Sequence, residues 1–276
     1  MQKMNIVFLD QHSLGSVDLE PIKRLGNYTA YEKTAPEQIV ERSLEADILI
    51  INKIPMRAET IKALPRLKLI CIAATGMNNV DLEAAAAQGV EVKNAVGYST
   101  HAVTDTTIGA AITLYRQSLY FDRYVKSGAY AASDSPFHFG RPIHQLYGKH
   151  WGIIGLGAIG HSVASVATAL GCQVRYTSTS GVTREEPYTS MPLDELLGWA
   201  DIISIHAPLN DRTRGLIGDR ELRLMKPSAI LINVARGGIV DEQALANALN
   251  ENRLAGAGLD VFAQEPMTAD NPLLKV

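Results

Sequence analysis

The feature that most constrains the fold is a glycine-rich loop that directly follows a short apolar run. Residues 151–154 (WGII) have the composition of a buried strand and lead into Gly155, Gly157 and Gly160 with the spacing GxGxxG. Between a strand and a helix, the first glycine permits a tight turn and the second lets the backbone approach a pyrophosphate. The third allows the helix to pack closely on the strand. The loop, which includes Ala158 and Ile159, therefore predicts a dinucleotide site; a glycine-rich turn without a ligand is the alternative.

Short apolar runs alternate with helical patterns along most of the chain. In the N-terminal third, residues 5–9, 47–52 and 67–73 have strand character, and the segments between them have apolar positions at helical spacing. Near-continuous apolar strands separated by helices indicate a parallel sheet covered on both faces. We expect an α/β protein with two Rossmann-like or flavodoxin-like parallel-sheet domains, residues 1–97 and 98–276, and a cleft between them.

The middle of the chain has a different character. Residues 99–127 have the pattern of one long amphipathic helix, opened by Ser99 or Thr100 as its cap. Glycine, serine and proline residues in the stretch 128–148 end that helix. Alternation of strands and helices then resumes with the glycine loop and continues to residue 261.

Composition and charge narrow the class of partner. The 26 Lys and Arg residues against 29 Asp and Glu residues leave a formal net charge of −3, which disfavours nucleic acid as the main partner. No apolar run approaches the ~18 residues of a membrane span, and the N-terminal apolar run is too short for a signal peptide. We therefore expect a cytoplasmic protein with no membrane partner and no metal site, in which the two cysteines form no disulfide framework.

The position that selects between the two nicotinamide cofactors carries a hydroxyl group. Ser178 stands eighteen residues after Gly160, where the dinucleotide fingerprint expects an acid that accepts hydrogen bonds from the ribose. No carboxylate follows until Glu185, whereas hydroxyl groups can donate to phosphate oxygens. Arg184 or Arg175 could add positive charge. The sequence favours NADPH over NADH, and a polar loop that accepts either cofactor is the alternative.

Further segments match a known family in their order along the chain. They are residues 74–81 (ATGMNNVD), 97–100 (GYST), 205–209 (IHAPL), 225–227 (MKP), 233–242 (NVARGGIVDE), 258–262 (GLDVF) and 265–266 (EP). With the glycine loop, they make the chain resemble the D-isomer-specific 2-hydroxyacid dehydrogenases, particularly the glycerate/hydroxypyruvate reductase-like branch. The resemblance spans almost the whole chain. It implies hydride transfer between NAD(P)H and a small 2-keto acid of the glyoxylate or hydroxypyruvate type.

The resemblance also assigns roles to individual residues. Arg236 follows an apolar strand pattern at a sheet edge, where a surface charge and a ligand contact are equally plausible from the residues alone. The family role of Arg236 is to hold the substrate carboxylate and polarise the keto oxygen, and Glu265 would hydrogen-bond the catalytic histidine. Backbone N–H groups of Thr75 and Gly76, with Met77 beside them, would bind the carboxylate. The remaining residues implied at the cofactor are His206, Pro208, Thr213, Val234, Ala235 and Asp260.

One element of the family pattern is missing from this sequence. The family's acid/base histidine lies in a Pro-His motif after the Glu-Pro turn, and the chain stops at Val276 before such a motif or the return segment to the first domain. None of the seven histidines matches that position. We favour a fragment of a longer enzyme, and a natural truncation with little turnover is the alternative.

The missing histidine keeps other functions open. A second hypothesis is a non-catalytic, dinucleotide-sensing dimer, like the corepressor members of the superfamily. A formate or phosphite dehydrogenase would share the loop and the arginine, but residues 74–81 fit the hydroxyacid branch better. In relatives, the region around residues 99–148 forms the subunit interface, so the resemblance also implies a homodimer.

Overall fold

The computed structural model describes residues 3–181 and 185–276. The chain divides into two compact units, Met1–Ser99 and Thr100–Val276. Within the described ranges, no helix is long and apolar enough to cross a membrane.

The first unit is a five-stranded parallel sheet with helices between the strands. Its strands are β1 (Asn5–Phe8), β2 (Asn27–Ala30), β3 (Ile48–Ile51), β4 (Leu69–Ile72) and β5 (Glu91–Asn94). Its helices are α1 (Glu20–Lys23), α2 (Ile39–Ser43), α3 (Ala58–Lys62) and α4 (Leu82–Ala87), with 3₁₀ turns at Gln11–Leu14 and Pro36–Gln38. The strand order β2-β1-β3-β4-β5 is that of a flavodoxin-like doubly wound sheet.

The three central strands of this sheet are the ones that the sequence predicts. Phe8, Leu49, Ile51 and Ile70 are fully buried, because a parallel sheet is covered by helices on both faces. The edge strands β2 and β5 are missing from the prediction because both are half exposed and polar, with the sequences NYTA and EVKN. An edge strand that lacks an apolar run leaves little signal in a single sequence.

The second unit contains a six-stranded parallel sheet. Its strands are β6 (His150–Ile154), β7 (Gln173–Thr177), β8 (Thr189–Ser190), β9 (Ile202–Ile205), β10 (Ile230–Asn233) and β11 (Gly256–Leu259). Its helices are α5 (Thr100–Tyr115), α6 (Ser118–Lys126), α7 (Ala158–Ala169), α8 (Leu193–Trp199), α9 (Asp219–Leu224) and α10 (Glu242–Asn250), with 3₁₀ turns at Gly237–Ile239 and Pro272–Lys275.

The order of these strands is that of a dinucleotide-binding fold. The sheet runs β11-β10-β9-β6-β7-β8, which in chain order is the 3-2-1-4-5-6 arrangement. The connection reverses direction between β6 and β9, and ligands of such sheets bind at the carboxyl ends of the strands beside that reversal. The two-domain α/β prediction is therefore confirmed, with one flavodoxin-like and one Rossmann-like sheet.

The prediction of a single helix over residues 99–127 is wrong. Two helices occupy this stretch, α5 and α6, and they meet at Gln117, whose φ of 52° lies in the left-handed region. The side-chain amide of Gln117 donates to the carbonyl of Leu114, at 3.0 Å, and helps to end α5. Neither glycine nor proline occupies the break, so the apolar pattern runs through it without a stop signal.

Candidate functional site

The three loop glycines differ in the space around them. Gly155 has a φ of +92°, and a Cβ there would lie 2.9 Å from the backbone nitrogen of Ala207. A Cβ at Gly160 would lie 2.3 Å from the carbonyl oxygen of Gly155, so α7 packs directly against the turn that precedes it. Around Gly157, by contrast, nothing lies within 4 Å of the Cβ position. The loop is thus closed towards the protein and open at its middle glycine, which fits a ligand that approaches the backbone.

A pocket of about 170 Å³ opens beside this loop. It lies at the carboxyl ends of β6, β7 and β9, which is the reversal point of the sheet. The N-terminus of α7 also faces this end of the sheet, and its first N–H groups have no acceptor within the helix. The residues that line the pocket are Gly155, Leu156, Gly157, Tyr176, Ser178, Thr179, Ser180, Glu186, His206, Ala207 and Pro208.

His206 is held in the pocket wall by a buried chain of hydrogen bonds. The indole Nε1–H of Trp151 donates to Oγ of Ser204 at 2.9 Å, and the same oxygen lies 3.0 Å from Nε2 of His206. Tryptophan is only a donor, so Oγ of Ser204 accepts the hydrogen bond from Trp151 and makes its second contact with the imidazole of His206.

Burial keeps this imidazole neutral. It lowers the pKa of His206 to about 4 from the ordinary value of 6.5, so the ring is uncharged at neutral pH. Its Nδ1 has no hydrogen-bond partner within the described protein. A buried polar atom without a partner is costly, and a polar ligand together with a small shift of the ring would remove that cost.

The far end of the pocket carries hydroxyl groups, as the sequence predicts. Oγ of Ser178 lies 3.1 Å from Oγ of Ser180, and the guanidinium of Arg212 donates to the carbonyl of Ser180 at 2.9 Å. Arg175 stacks its guanidinium on the Trp199 ring, 4.7 Å from the centroid, and does not line the pocket. The other proposed cation, Arg184, lies outside the described residues.

Two charged residues at this pocket were not predicted from the sequence. Glu186 lines the pocket and has an oxygen 2.9 Å from Nε2 of His161 in α7. The dinucleotide fingerprint expects an acid near the end of β7, whereas Glu186 lies further along the chain, after the loop that follows β7. Arg212 was also missed; it does not line the pocket, and its guanidinium reaches the Ser180 carbonyl from the loop after β9.

The other proposed cofactor residues lie on the same sheet edge, outside the lining of this pocket. Val234 and Ala235 follow β10, and Asp260 follows β11, so they extend along the edge away from Ser178. Thr213 is fully buried, and its hydroxyl donates to the carbonyl of Pro208 at 2.6 Å. Its contribution in the structure is to shape the loop that carries Pro208.

The turn that carries Arg236 is fixed by a buried amide. Asn233 is 1% exposed; its Nδ2 donates to the carbonyl of Arg236 at 2.9 Å and its Oδ1 accepts from the N–H of Ala235 at 3.1 Å. A Cβ on Gly237 would lie 1.8 Å from the carbonyl carbon of Phe262, so the two turns pack backbone to backbone. Rigid packing of this kind fixes the backbone position of Arg236 at the sheet edge.

Glu265 belongs to the segment packed against that turn. One of its carboxylate oxygens accepts a hydrogen bond from the N–H of Phe262 at 3.2 Å. Because Phe262 also packs on Gly237, the segments that carry Arg236 and Glu265 are in contact at one end of the second sheet. Contact between these two segments is required if Arg236 and Glu265 are to act in one site, as proposed.

Thr75, Gly76 and Met77 follow β4 at the carboxyl edge of the first sheet. The Thr75 hydroxyl donates to the carbonyl of Ala95 at 3.0 Å, and the amide of Asn94 donates to the carbonyl of Thr75 at 2.6 Å. Over the described part of the chain, the backbone N–H groups of residues 75–77 donate to no backbone carbonyl or side chain of the protein. Three consecutive N–H groups on a fixed turn form a surface that suits an anion.

Comparison with known proteins assigns the chain to a family. The model of the D-isomer specific 2-hydroxyacid dehydrogenase NAD binding domain matches residues 108–276. The glycerate dehydrogenase of Methylorubrum extorquens is 43% identical over 269 residues, which are 97% of this chain and 84% of that relative. The chain belongs to the D-isomer-specific 2-hydroxyacid dehydrogenase family. The resemblance found in the sequence is thereby confirmed.

Solved structures of this dehydrogenase family have the same fold. D-lactate dehydrogenase of Aquifex aeolicus, complexed with NAD and lactic acid, superposes with a TM-score of 0.86 at 27% identity; the match covers 98% of this chain and 84% of that one. The NADPH-dependent glyoxylate/hydroxypyruvate reductase of Sinorhizobium meliloti, complexed with NADP and malonate, superposes at 0.83 with 26% identity, over 100% and 84% of the two chains.

Membership settles the class of activity. This 2-hydroxyacid dehydrogenase is an oxidoreductase that uses a nicotinamide dinucleotide, as predicted. The relatives favour an enzyme over the hypothesis of a non-catalytic dinucleotide sensor. They include complexes with NAD and with NADP, so the choice between the two cofactors depends on residues of this chain.

Proposed function

We propose that this dehydrogenase reduces a small 2-keto acid, such as glyoxylate or hydroxypyruvate, to the 2-hydroxy acid, and that NADPH is its preferred reductant. The observation that carries the proposal is the pocket at the reversal point of the second sheet, where the loop is open at Gly157 and closed at Gly155 and Gly160. The reductase names of the relatives support the choice of substrate.

The residues present fit the proposed cofactor. When bound, the nicotinamide supplies the hydride that the carbonyl carbon accepts. The N–H groups around Gly157 and the start of α7 would hold the pyrophosphate, since a helix N-terminus favours an anion. Ser178 and Ser180 would hold the adenosine ribose, and the residues after β10 and β11 would lie towards the nicotinamide. These last residues are Val234, Ala235 and Asp260.

Each unit carries its own candidate groups for binding the substrate. In the first unit, the N–H groups of Thr75, Gly76 and Met77 would donate to the carboxylate. In the second unit, the planar fork of the Arg236 guanidinium suits a carboxylate and can polarise a neighbouring keto oxygen. By the family pattern, Glu265 would accept a hydrogen bond from the acid/base histidine, a position that none of the seven histidines of this sequence matches. Residues 1–97 would thus form the substrate domain and residues 98–276 the cofactor domain.

The preference for NADPH is proposed from the hydroxyl groups at the far end of the pocket. Ser178 and Ser180 can donate to a 2′-phosphate, and Arg212 places a guanidinium on the backbone of the same loop. The carboxylate of Glu186 would oppose such a phosphate, but His161 stands beside it. A Ser178→Asp variant should lose efficiency with NADPH and gain it with NADH, because an acid at this place binds a ribose diol and repels a phosphate.

Steady-state assays with both cofactors and a panel of 2-keto acids test the activity directly. A full-length version that contains the family's acid/base histidine should oxidise NADPH in the presence of glyoxylate or hydroxypyruvate. Arg236→Gln should reduce kcat/KM by roughly 10²–10³-fold, which is the usual loss when one charge-stabilising donor is removed. Arg24→Gln, at an exposed arginine of the first unit, is the matched control. Absence of turnover with every keto acid by the histidine-containing version would refute the proposed reaction.

We also propose a homodimer, formed through the region around residues 99–148. Several large apolar side chains there are exposed, among them Phe137 (69%), Phe139 (90%) and Tyr147 (73%). The rings of Phe137 and Phe139 stack on each other, and exposed apolar surface of this kind is typical of an interface. Light scattering of the purified protein should give twice the chain mass, and Phe139→Ser should weaken the association.

A further inference from the structure

A buried carboxylate binds the turn that follows β3. Asp10, at the end of β1, is 3% exposed, and its two carboxylate oxygens accept the backbone N–H groups of Asn52 and Lys53 at 2.9 and 2.7 Å. Hydrogen bonds from N–H groups to an ionised carboxylate are among the stronger ones in proteins. Asp10 therefore fixes the backbone from which the Lys53 side chain extends.

A second side chain binds the same turn from the opposite direction. Nδ2 of Asn79 donates to the carbonyl oxygens of Asn52 and Ile54 at 3.2 and 3.0 Å, on either side of Lys53. The segments are joined further at Met56, whose N–H donates to Asn79 and whose carbonyl accepts from Asp81, at 2.8 and 2.9 Å. The backbone of Lys53 is therefore held through its N–H and through both neighbouring carbonyls.

Asn79 also belongs to the segment that carries the N–H groups of residues 75–77. Residues 74–79 form the turn after β4, and β3 and β4 are neighbours in the sheet, with Ile51 opposite Ile72. Adjacent strands lie roughly 4.8 Å apart, so the Lys53 turn and these N–H groups share one short stretch of sheet edge. The contacts of Asn79 keep the two turns in a fixed relation.

We propose that Lys53 is a substrate-binding cation and that Asp10 and Asn79 are its positioning residues. The ammonium group of Lys53 would pair with the same carboxylate to which the N–H groups of residues 75–77 donate, an inference that rests on the proposed function. The buried carboxylate of Asp10 places a negative charge near this edge of the sheet. The positive charge of Lys53, on the turn that Asp10 binds, offsets the repulsion between this carboxylate and an incoming anion.

This assignment predicts a particular kinetic pattern. A contact with the substrate carboxylate is made in the ground state and in the transition state alike, so its loss raises KM and leaves kcat nearly unchanged. Lys53→Met should raise KM roughly tenfold for every 2-keto acid, whatever its substituent at C3, since the carboxylate is common to all of them. Lys53→Arg should restore most of the affinity.

The positioning role is tested with Asp10→Asn and, independently, with Asn79→Ala. Asp10→Asn should raise KM in the wild-type background and have little further effect in the Lys53→Met background, because it acts through Lys53. Asn79→Ala should raise KM in both backgrounds, because Asn79 also belongs to the turn that carries the N–H groups of residues 75–77. Asp47→Asn is the matched control for a buried carboxylate that accepts a backbone N–H, from Asn5 at 2.9 Å, without contact to the Lys53 turn. Lys62→Met is the control for loss of an exposed lysine in the same unit.

Binding of oxalate, followed by tryptophan fluorescence, gives a readout that does not depend on turnover. If no keto acid is reduced but oxalate binds the wild type more tightly than Lys53→Met, the proposed reaction fails and the assignment of Lys53 stands. If Lys53→Met leaves both KM and the oxalate Kd unchanged, the assignment is overturned. An equal increase in KM from Asp10→Asn in the wild-type and Lys53→Met backgrounds would show that Asp10 acts only on the fold.

Discussion

The open space at Gly157 allows cofactor binding to be separated from folding by a single methyl group. The backbone there has a φ of −88° and a ψ of −163°, an extended conformation that alanine adopts without strain. A Cβ would have no neighbour within 4 Å. Gly157→Ala should therefore leave the free energy of unfolding of the cofactor-free protein unchanged or raise it by about 0.4–1 kcal/mol, since alanine restricts the unfolded chain.

The same methyl group should strongly weaken the binding of the cofactor. It would occupy the space through which the pyrophosphate approaches the loop, and hydrogen bonds to a charged group contribute about 1.5–3 kcal/mol each. At about 1.4 kcal/mol for each factor of ten, the loss of one such bond raises Kd roughly 10- to 100-fold. Gly160→Ala should behave differently, because its Cβ would lie 2.3 Å from the Gly155 carbonyl oxygen. Such overpacking costs about 1–3 kcal/mol of stability even without cofactor.

Urea unfolding of the cofactor-free variants and fluorescence titration with NADPH measure the two effects separately. At a cofactor concentration of about 100 times the wild-type Kd, binding stabilises the wild type by about 2.7 kcal/mol. A variant with a tenfold higher Kd gains about 1.4 kcal/mol under the same condition. A Gly157→Ala protein that binds NADPH with the wild-type Kd would show that the pyrophosphate does not approach this glycine, and the pocket would lose its assignment.

Three further predictions concern the stability of the second unit. Ser204→Ala should cost about 1–3 kcal/mol in urea unfolding, because the buried Trp151 N–H loses its acceptor. His206 has a pKa of about 4 in the folded protein against an ordinary value of 6.5. Below pH 6.5 the unfolded chain takes up a proton that the folded protein does not, so the free energy of unfolding decreases as the pH falls from 6.5 to 4. This loss amounts to about 3 kcal/mol and should appear as a pH-dependent difference in unfolding free energy between wild type and His206→Asn. Asp241→Ala should lower stability by about 1 kcal/mol in thermal denaturation, because its carboxylate caps α10 through the Ala244 N–H, whereas Asp241→Asn should not.

The parts of the fold that follow from the sequence are those with a local physical cause. Strands β1, β3, β6, β9 and β10 are short apolar runs because both faces of a parallel sheet are buried. The glycine loop is recognisable because each glycine answers a steric requirement of its own turn. The break at Gln117 has no such local signal, since neither glycine nor proline stands there and the apolar pattern runs through the left-handed backbone.

The candidate site was predictable to the extent that its residues follow strand ends. Ser178 was found from its distance to Gly160 and His206 from the family resemblance; both follow strand ends and line the pocket. Glu186 in the pocket and Arg212 beside it were not found, because they belong to loops, and no periodicity of the sequence shows where a loop places its side chains. The unexpected carboxylate matters, since a charge beside Ser178 bears directly on whether a ribose hydroxyl or a phosphate is bound there.

The two buried hydrogen-bond networks that hold functional side chains in place join residues far apart in the sequence, so they could not be predicted from it. Asp10 contacts a turn 42 residues further along the chain, and Trp151 reaches Ser204 across 53 residues. In each case a buried polar group has a partner that satisfies it, and the partner is supplied by a neighbouring strand of the parallel sheet. Strand order is what brings these pairs together, so they become predictable once the order is known. A doubly wound sheet thus fixes more than the position of its ligand edge: through buried hydrogen bonds between strand ends, it also fixes the orientation of the residues on that edge.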